Sequence, residues 1–266
     1  MLEPRIDRSV GSGIFGADAA GYDSARPGYP EALYDRLDAY AGGLSGSKLF
    51  EVGAGTGIAT RALAVRAPSR LTLIEPDPVF AGNLRAAGFE VVNEPLETAK
   101  LPIQGYDVGA AASCIHWVDP AQAHARARSL LRPGGVWAIW WNVYRERGIG
   151  DAFADALLPR LDGFAMPPSE AADHHYALDE ETHREALLAA GFGAIEHHVW
   201  RRERLLSAAE MTRLYATFSF VRALPPAERT ALLEMIRGLV ERDFGGSAPN
   251  IILTPIYLAR VLREDE

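Results

Sequence analysis

The sequence contains very little cysteine and no long apolar segment. Cys114 is the single cysteine among 266 residues, which excludes an internal disulfide or a cysteine-rich zinc site and is typical of a reducing compartment. The longest apolar stretches, VGAAASCI and VWAIWW, have the length of buried strands and are too short for a membrane span or a signal peptide core. We therefore expect a cytoplasmic protein with no membrane partner.

Basic residues are also scarce relative to acidic ones. Only Lys48 and Lys100 are lysines, and 27 Lys and Arg residues are opposed by 35 Asp and Glu residues, which gives a formal net charge of −8. This balance argues against binding to nucleic acid. With 48% hydrophobic residues, a chain of this length buries roughly 70% of its unfolded surface. A core can therefore form without a metal ion, and no metal site is expected.

From residue 48 onward, short apolar runs alternate with longer amphipathic stretches, which is typical of βα units on a parallel sheet. The predicted strands are residues 48–52, 71–75, 89–93, 106–113, 136–143, 194–206 and 251–262. The predicted helices are residues 58–67, 78–87, 120–131, 182–190, 208–223 and 226–243. Pro255 lies inside the last predicted strand, which predicts a bulge or an edge position there.

The most informative local pattern is EVGAGTG, residues 51–57. A strand that enters a glycine-rich turn and then a helix lets backbone N–H groups approach a ligand, because a side chain would block that approach. The glycines lie at 53, 55 and 57, and the next position is Ile58, which departs from the G-x-G-x-x-G spacing of dinucleotide sites. A tight turn without any ligand is the alternative.

Glu75 follows the second predicted strand, eighteen residues after Gly57. A carboxylate at this place can accept hydrogen bonds from both hydroxyls of a ribose. It can also be a solvated strand end. Because the carboxyl ends of adjacent parallel strands share one sheet edge, Glu75 and the glycine turn together favour a ligand site there.

These segments occur in the order and spacing of a known family. EVGAGTG, LIEPD, LETAKLP, YDVGAAASCIHWVD and LLRPGG resemble the motifs of class I S-adenosylmethionine-dependent methyltransferases, especially the small-molecule branch similar to trans-aconitate methyltransferase. YDSARPGYP near the start, and TFSFVRAL and TPIYLARVL near the end, extend the resemblance over most of the chain.

The resemblance implies a Rossmann-like α/β fold with a seven-stranded doubly wound sheet, mainly parallel with the last strand antiparallel. It implies one methyltransferase domain over residues 1–266. Within it we expect an N-terminal lid and first helix at 1–46, a cofactor-binding core at 47–148, and a helical cap for the acceptor at 149–180 and 207–245.

The resemblance also assigns residues to S-adenosylmethionine and its product S-adenosylhomocysteine. Glu51 opens the glycine motif, whose first three turn residues would hold the methionine part, and Glu75 would hold the ribose. Further residues would surround the adenosine or close over the cofactor. The cofactor residues are Tyr22, Arg26, Glu51, Gly53, Ala54, Gly55, Glu75, Pro76, Glu97, Thr98 and Ser113.

Two of these assignments are specific. Glu97, four residues before the Leu-Pro pair, would accept from the adenine amine, and the Thr98 N–H would face the ring. Tyr22 and Arg26 would close over the cofactor, and Arg26 would meet its carboxylate.

Candidate acceptor residues are fewer. His116 is a candidate general base at the end of the fourth strand, and the alternative is that His116 and Trp117 only shape the pocket floor. His175 lies in the predicted cap. Tyr215 and Arg222 share one face of the helix predicted at 208–223, together with Phe218, and the arginine would suit a carboxylate.

The predicted function is methyl transfer to a small-molecule acceptor, with a carboxylate or a hydroxyl among the candidates. In-line transfer gains mostly from alignment and exclusion of water. A base is needed only where the acceptor carries a proton. The alternatives are a nicotinamide-dependent oxidoreductase and a cofactor-binding protein without turnover or with repurposed chemistry such as cyclisation. The sequence does not identify the acceptor, and it does not distinguish a monomer from a homodimer.

Overall fold

The structure is a computed structural model that describes residues 19–167 and 174–262. The chain divides into two compact units. We call Gly28–Trp141, Asp179–Trp200 and Thr254–Glu266 the sheet unit, and Met1–Pro27, Asn142–Leu178 and Arg201–Leu253 the helical unit. Within the described ranges, no helix is both long and apolar enough to cross a membrane.

Eight strands are present in the described residues, in the spatial order β3-β2-β1-β4-β5-β8-β6, and β7 also pairs with β8. Strands β1 to β5 pair in parallel, whereas β8 is antiparallel to β5 and β6. The predicted doubly wound α/β class is therefore confirmed, with eight strands in place of seven. The strands are β1 Lys48–Val52, β2 Arg70–Ile74, β3 Glu90–Val92, β4 Tyr106–Ala112, β5 Leu131–Trp140, β6 Val143–Tyr144, β7 Phe192–Ser207 and β8 Ser247–Val261.

Helices follow most of the strands of the parallel part, as the alternating pattern predicts. The α-helices of the described residues are α1 Ala19–Ala25, α2 Glu31–Ala41, α3 Ile58–Ala64, α4 Pro78–Ala86, α5 Pro120–Leu130, α6 Ala152–Leu157, α7 Glu180–Ala189, α8 Ala208–Tyr215, α9 Ser219–Arg222 and α10 Pro226–Asp243. Several begin at acidic caps. Asp77 and Asp119 accept hydrogen bonds from the first turns of α4 and α5, each just before a proline, which is a favourable helix start.

The centre of the sheet is packed tightly around a glycine in β4. A Cβ on Gly109 would lie 2.3 Å from the Phe50 ring and 2.8 Å from Trp137. The Phe50 and Trp137 rings stack with centroids 5.8 Å apart, and both side chains are fully buried. The small residue on β4 lets these two rings close over the strand.

Both predicted bounds of the strand at 136–143 are wrong. Strand β5 starts at Leu131, which already pairs with Tyr106 of β4, and it ends at Trp140. The segment Val143–Tyr144 forms the extra strand β6 against β8.

Pro255 does not lie on an edge strand, because β8 pairs with β5, β6 and β7. The residue lies where β8 changes partner, between Leu253, which faces β6, and Ile256, which faces β5. Its carbonyl accepts from Trp141 N at 3.2 Å, and its missing N–H is tolerated at this interruption of the ladder.

The helix predicted at 208–223 is interrupted. Helix α8 ends at Tyr215, and Phe218 has an extended backbone, φ −73° and ψ 142°, before α9 begins at Ser219. Tyr215, Phe218 and Arg222 therefore do not share one continuous helical face, which corrects that premise. The two aromatic rings still meet edge to face at 5.0 Å.

The expected segment boundaries divide between the two units. The described residues 149–167, 174–178 and 207–245 of the expected cap belong to the helical unit, whereas the expected lid segment 1–46 is split after Pro27. Residues 1–18 of that segment, and 168–173 of the expected cap, lie outside the described residues.

Candidate functional site

The glycine turn between β1 and α3 has the geometry that the motif requires. Gly53, Gly55 and Gly57 all have positive φ, at 62°, 56° and 84°, values that side-chain-bearing residues rarely adopt. A Cβ on Gly53 would also lie 2.6 Å from the Cβ of Cys114. A Cβ on Gly55 would meet only the Gly53 carbonyl, at 4.0 Å. The turn is thus closed on the Cys114 side and open at Gly55.

Cys114 supports this turn and is not a reactive thiol. Its Sγ–H donates to the Val52 carbonyl at 2.9 Å. Burial, and then the nearby carboxyls of Glu51 and Glu75, raise the pKa of the thiol far above its usual range. The thiolate, the nucleophilic form, is therefore not populated at neutral pH.

Glu75 is tied to the glycine turn through both of its carboxyl oxygens. Oε2 accepts from Gly55 N at 2.7 Å and Oε1 accepts from Asp77 N at 2.9 Å. The residue is only 4% exposed, and burial raises its pKa against the lowering effect of these two hydrogen bonds. Each oxygen keeps further acceptor capacity. The bonds fix the carboxyl group beside the turn, in the place predicted for it.

Glu51 is a second buried acid beside the same turn. Its Oε2 accepts from Thr60 Oγ1 at 2.7 Å. The pKa of Glu51 is raised to about 8, first by burial and also by the Glu75 carboxyl, against the lowering effect of the Thr60 hydrogen bond. Two buried carboxyls at the ends of adjacent strands disfavour each other's charged form and favour a positively charged ligand.

The segment after β3 agrees less well with the prediction. Glu97 and Thr98 are exposed, and the Thr98 N–H donates to the Pro95 carbonyl at 3.2 Å. The Thr98 amide hydrogen, which the resemblance places against the adenine ring, is therefore donated to Pro95 instead. The conformation is a local turn, which the linear motif does not reveal.

Ser113 and His116 follow β4 at the same edge of the sheet as the glycine turn. Ser113 has φ 53°, its N donates to the Trp140 carbonyl at 2.7 Å, and its Oγ accepts from Tyr29 Oη at 3.0 Å. His116 lies in the short 3-10 turn Ile115–Trp117. Its Nδ1 accepts from Trp141 Nε1 at 3.2 Å, and its ring contacts Trp117 at 5.2 Å.

The remaining predicted residues lie in the helical unit. Arg26 donates from Nε to Thr217 Oγ1 at 2.8 Å, and its guanidinium lies 4.2 Å from the Phe218 ring centre and 5.3 Å from that of Tyr22. The N–H of His175 donates to Glu146 Oε2 at 3.0 Å. Arg222 donates to the Ala216 carbonyl at 3.4 Å.

The sheet unit therefore gathers one set of predicted residues, and the helical unit holds another. The first set is Glu51, Gly53, Ala54, Gly55, Glu75, Pro76, Glu97, Thr98, Ser113, His116 and Trp117. The second set is Tyr22, Arg26, His175, Tyr215 and Arg222.

Comparisons with known proteins identify the family to which the chain belongs. A model described as a methyltransferase domain matches residues 50–139. An uncharacterized methyltransferase of Mycobacterium tuberculosis is 33% identical over 233 residues, which cover 85% of each chain. The chain belongs to the methyltransferases.

Solved structures agree with this assignment at the level of the fold. A candidate type II methyltransferase from Anaeromyxobacter dehalogenans has a TM-score of 0.60 at 25% identity, covering 90% of this methyltransferase and 99% of that chain. A phosphoethanolamine N-methyltransferase from Haemonchus contortus, solved with S-adenosyl-L-methionine, has a TM-score of 0.57 at 13% identity, covering 93% and 57% of the two chains.

The sequence patterns do not indicate the contacts that two residues of this methyltransferase make. Asn93 at the end of β3 donates from Nδ2 to the carbonyls of Glu75 and Pro76, at 2.8 and 3.0 Å, and so fixes the turn that carries Glu75. An amide at the end of a strand next to the site was the available signal.

Arg145 is the second. It is 5% exposed, with φ 60°, and its guanidinium lies 4.5 Å from the Phe218 ring centre and 4.8 Å from that of Phe220. Nothing in the local sequence separates it from a surface arginine, because the aromatic residues come from a distant segment.

Proposed function

We propose that this methyltransferase transfers a methyl group from S-adenosylmethionine to a small-molecule acceptor. The observation that carries the proposal is the pair of buried acids, Glu51 and Glu75, on the glycine turn. Burial raises the pKa of both acids, and a positive charge beside them would favour their charged form, whereas a pyrophosphate would disfavour it. This supports a sulfonium cofactor over a nicotinamide dinucleotide. When bound, S-adenosylmethionine supplies an electrophilic methyl group.

The residues of the sheet unit fit such a cofactor. Glu75 has acceptor capacity for the ribose hydroxyls beyond its two backbone hydrogen bonds. Gly53 and Gly55 keep the turn free of side chains, and a Cβ on Gly55 would contact only the Gly53 carbonyl, at 4.0 Å. Asn93 and Asp77 hold the second strand end in place. These residues bind and orient, which is the main requirement of an in-line transfer.

In this proposal Tyr22 and Arg26 would contact the cofactor. The acceptor residues would be His175, Tyr215, Arg222 and Trp117. We expect Arg222→Met to raise KM for an anionic acceptor while cofactor affinity stays constant. Unchanged kinetics would remove Arg222 from the acceptor site.

Titration calorimetry tests the cofactor. S-adenosylmethionine, S-adenosylhomocysteine and NADH are titrated into the wild type and into Glu75→Ala. We expect both sulfur ligands to bind at micromolar or better and NADH not to bind. Glu75→Ala should weaken the sulfur ligands by about 1.5–3 kcal/mol, the value of a charged hydrogen bond.

The matched control is Glu90→Ala. Glu90 is an exposed acid on β3, paired with Arg70, outside the glycine turn, and its loss should leave both affinities unchanged. NADH binding, or equal effects of the two substitutions, would contradict the proposed cofactor. The narrower likeness to the trans-aconitate branch and a cytoplasmic location stay predictions.

A further inference from the structure

Strand β7 is a long strand at one end of the sheet. It covers Phe192–Ser207, and among the described strands it pairs only with β8, whose other edge is occupied by β5 and β6. The strand at the opposite end, β3, has only three residues, and a short edge strand is a common protection against pairing with another chain. β7 has sixteen residues and no proline. Its outer edge therefore lacks two of the usual protections.

Alternate residues of β7 form an exposed face between residues 199 and 205. Val199 is 45% exposed and Leu205 is 71% exposed. The side chains of Arg201 and Glu203, which lie between them, are 49% and 56% exposed. Successive side chains of a strand point to opposite faces, so these four residues share one face, which we call the outer face. Its order along the strand is apolar, basic, acidic, apolar.

The intervening residues of β7 are half-buried and make contacts within the chain. Trp200 packs against the hydrophobic core beside the sheet. Arg202 Nη2 donates to Asn142 Oδ1 at 2.8 Å, and Arg204 Nη2 donates to Asn250 Oδ1 at 2.9 Å. A shift of the strand by one residue would exchange its two faces and break these contacts. They therefore fix the outer face as the one that solvent or a partner meets.

We propose that two copies of this chain associate edge to edge through β7, with the strands antiparallel and Arg202 opposite its own counterpart at a two-fold axis. Arg201 of each copy then lies opposite Glu203 of the other, and Val199 lies opposite Leu205. The symmetry repeats both contacts, as a self-complementary interface requires. An added strand supplies main-chain hydrogen bonds, and the side-chain pairs supply specificity.

Charge favours this register over its neighbours. A shift of the axis by one residue places either Arg201 or Glu203 opposite its own counterpart, and like charges directly opposite each other destabilise a strand pair. At the chosen axis the like pair is Arg202, whose side chain is on the other face and is held by Asn142 of its own copy. The outer face then contains only opposite-charge and apolar pairs.

The ion pair within one strand adds to this arrangement. Arg201 Nη1 lies 3.2 Å from Glu203 Oε2 of the same copy, and an exposed pair of this kind contributes little to stability by itself. In the dimer each of these charges has a second opposite charge across the axis. Four charges of alternating sign then form one cluster, with an apolar pair on each side of it.

Sedimentation equilibrium of the wild type tests the association. One pair of strands gives a small interface, so we expect a reversible dimer with a dissociation constant of about 1–100 µM. The dimer should weaken as salt is added, because exposed charges are screened. A protein that stays monomeric up to about 200 µM would overturn the proposal.

Charge reversal tests the register. Arg201→Glu and Glu203→Arg should each weaken dimerisation by about tenfold or more, because each places like charges opposite one another twice. An equimolar mixture of the two variants should dimerise again, since every pair across the axis is then one of opposite charges. The double variant should also dimerise. Unchanged dimerisation of the single variants, or a mixture that stays monomeric, would overturn the proposed interface.

The chain offers a matched control for charge reversal. Arg70 is 45% exposed and forms an ion pair with Glu90 near the other end of the sheet. Arg70→Glu should leave the dissociation constant unchanged. An effect as large as that of Arg201→Glu would show that net charge, and not the β7 pairing, controls the association, and would contradict the proposal.

Leu205→Asp gives a test that does not depend on the charge-reversed variants. It places a desolvated carboxylate beside an apolar partner, so the dissociation constant should rise by about tenfold or more. The control is Val65→Asp, because Val65 is 79% exposed and follows α3, away from β7. Equal effects of the two substitutions would overturn the proposal. None of these outcomes depends on the cofactor or on the acceptor.

Discussion

Two hydrogen bonds from tryptophan to histidine lie in the sheet unit, and their surroundings differ. Trp137 donates to His124 and Trp141 donates to His116, both to Nδ1 and both at 3.2 Å. His124 is 1% exposed on α5, and its Nε2 is buried without a hydrogen bond among the described residues. His116 is half-buried in the turn after β4. The same bond therefore occurs once in the core and once at the edge that carries the glycine turn.

Burial, and not the hydrogen bond itself, therefore separates the structural pair Trp137–His124 from the candidate functional pair Trp141–His116. Burial lowers the pKa of His124 to about 4, so its ring stays neutral and serves only as an acceptor for Trp137. His116 lies where a ligand is expected. Three experiments test this distinction.

The largest expected effect is on the core pair. Trp137 is fully buried and stacks on Phe50, so Trp137→Ala should reduce the free energy of unfolding by about 3–5 kcal/mol through the cavity it leaves. Trp117→Ala, which removes a half-buried ring at the site edge, should cost about 1 kcal/mol or less. Urea unfolding measures both. Equal losses would show that the two regions are not distinct in packing.

The next effect is a pH dependence that belongs to His124. Its pKa is about 4 in the folded protein and about 6.5 in the unfolded chain. The unfolded state therefore binds the extra proton between these values, and the free energy of unfolding falls by about 3 kcal/mol as pH drops from about 6.5 to about 4. His124→Gln, which keeps an acceptor for Trp137, should flatten this slope, measured by urea unfolding across that range.

His116→Gln is the matched control for that experiment. This substitution should leave the pH dependence of the unfolding free energy unchanged, because that dependence comes from the buried ring of His124. A slope that disappears in His116→Gln and persists in His124→Gln would reverse the assignment of the two pairs.

The smallest effect belongs to the site edge and has the opposite sign. The pKa of Glu51 is raised to about 8 in the folded protein, so its stabilising contribution is present below about pH 4.5 and is lost as pH rises through about 8. Between pH 7 and pH 8, the wild type should lose on the order of 1 kcal/mol of unfolding free energy relative to Glu51→Gln. Thermal unfolding in the two buffers measures it, and parallel curves would contradict the buried neutral acid.

The features of the backbone that were predicted correctly depend on short-range patterns. The tight turn at the glycines and the place of Glu75 after β2 follow from strand, turn and helix signals within about 25 residues, and a parallel sheet follows from alternating βα units. The predictions that failed depend on distant partners. The helix at 208–223 is interrupted at Phe218, which packs on Tyr144 and Phe220, and Val143–Tyr144 became a strand because β8 was available to pair with it.

Local sequence patterns are enough to predict the fold class and the tight glycine turn after β1, because backbone conformation at glycine and the position of an acid after a strand are local properties. Only the tertiary structure decided that Glu51 is buried beside Glu75, that the Thr98 N–H is engaged, and that Trp141 meets His116 Nδ1. Burial, pKa and hydrogen bonding depend on which side chains are brought together from distant segments, and that information is absent from any linear motif.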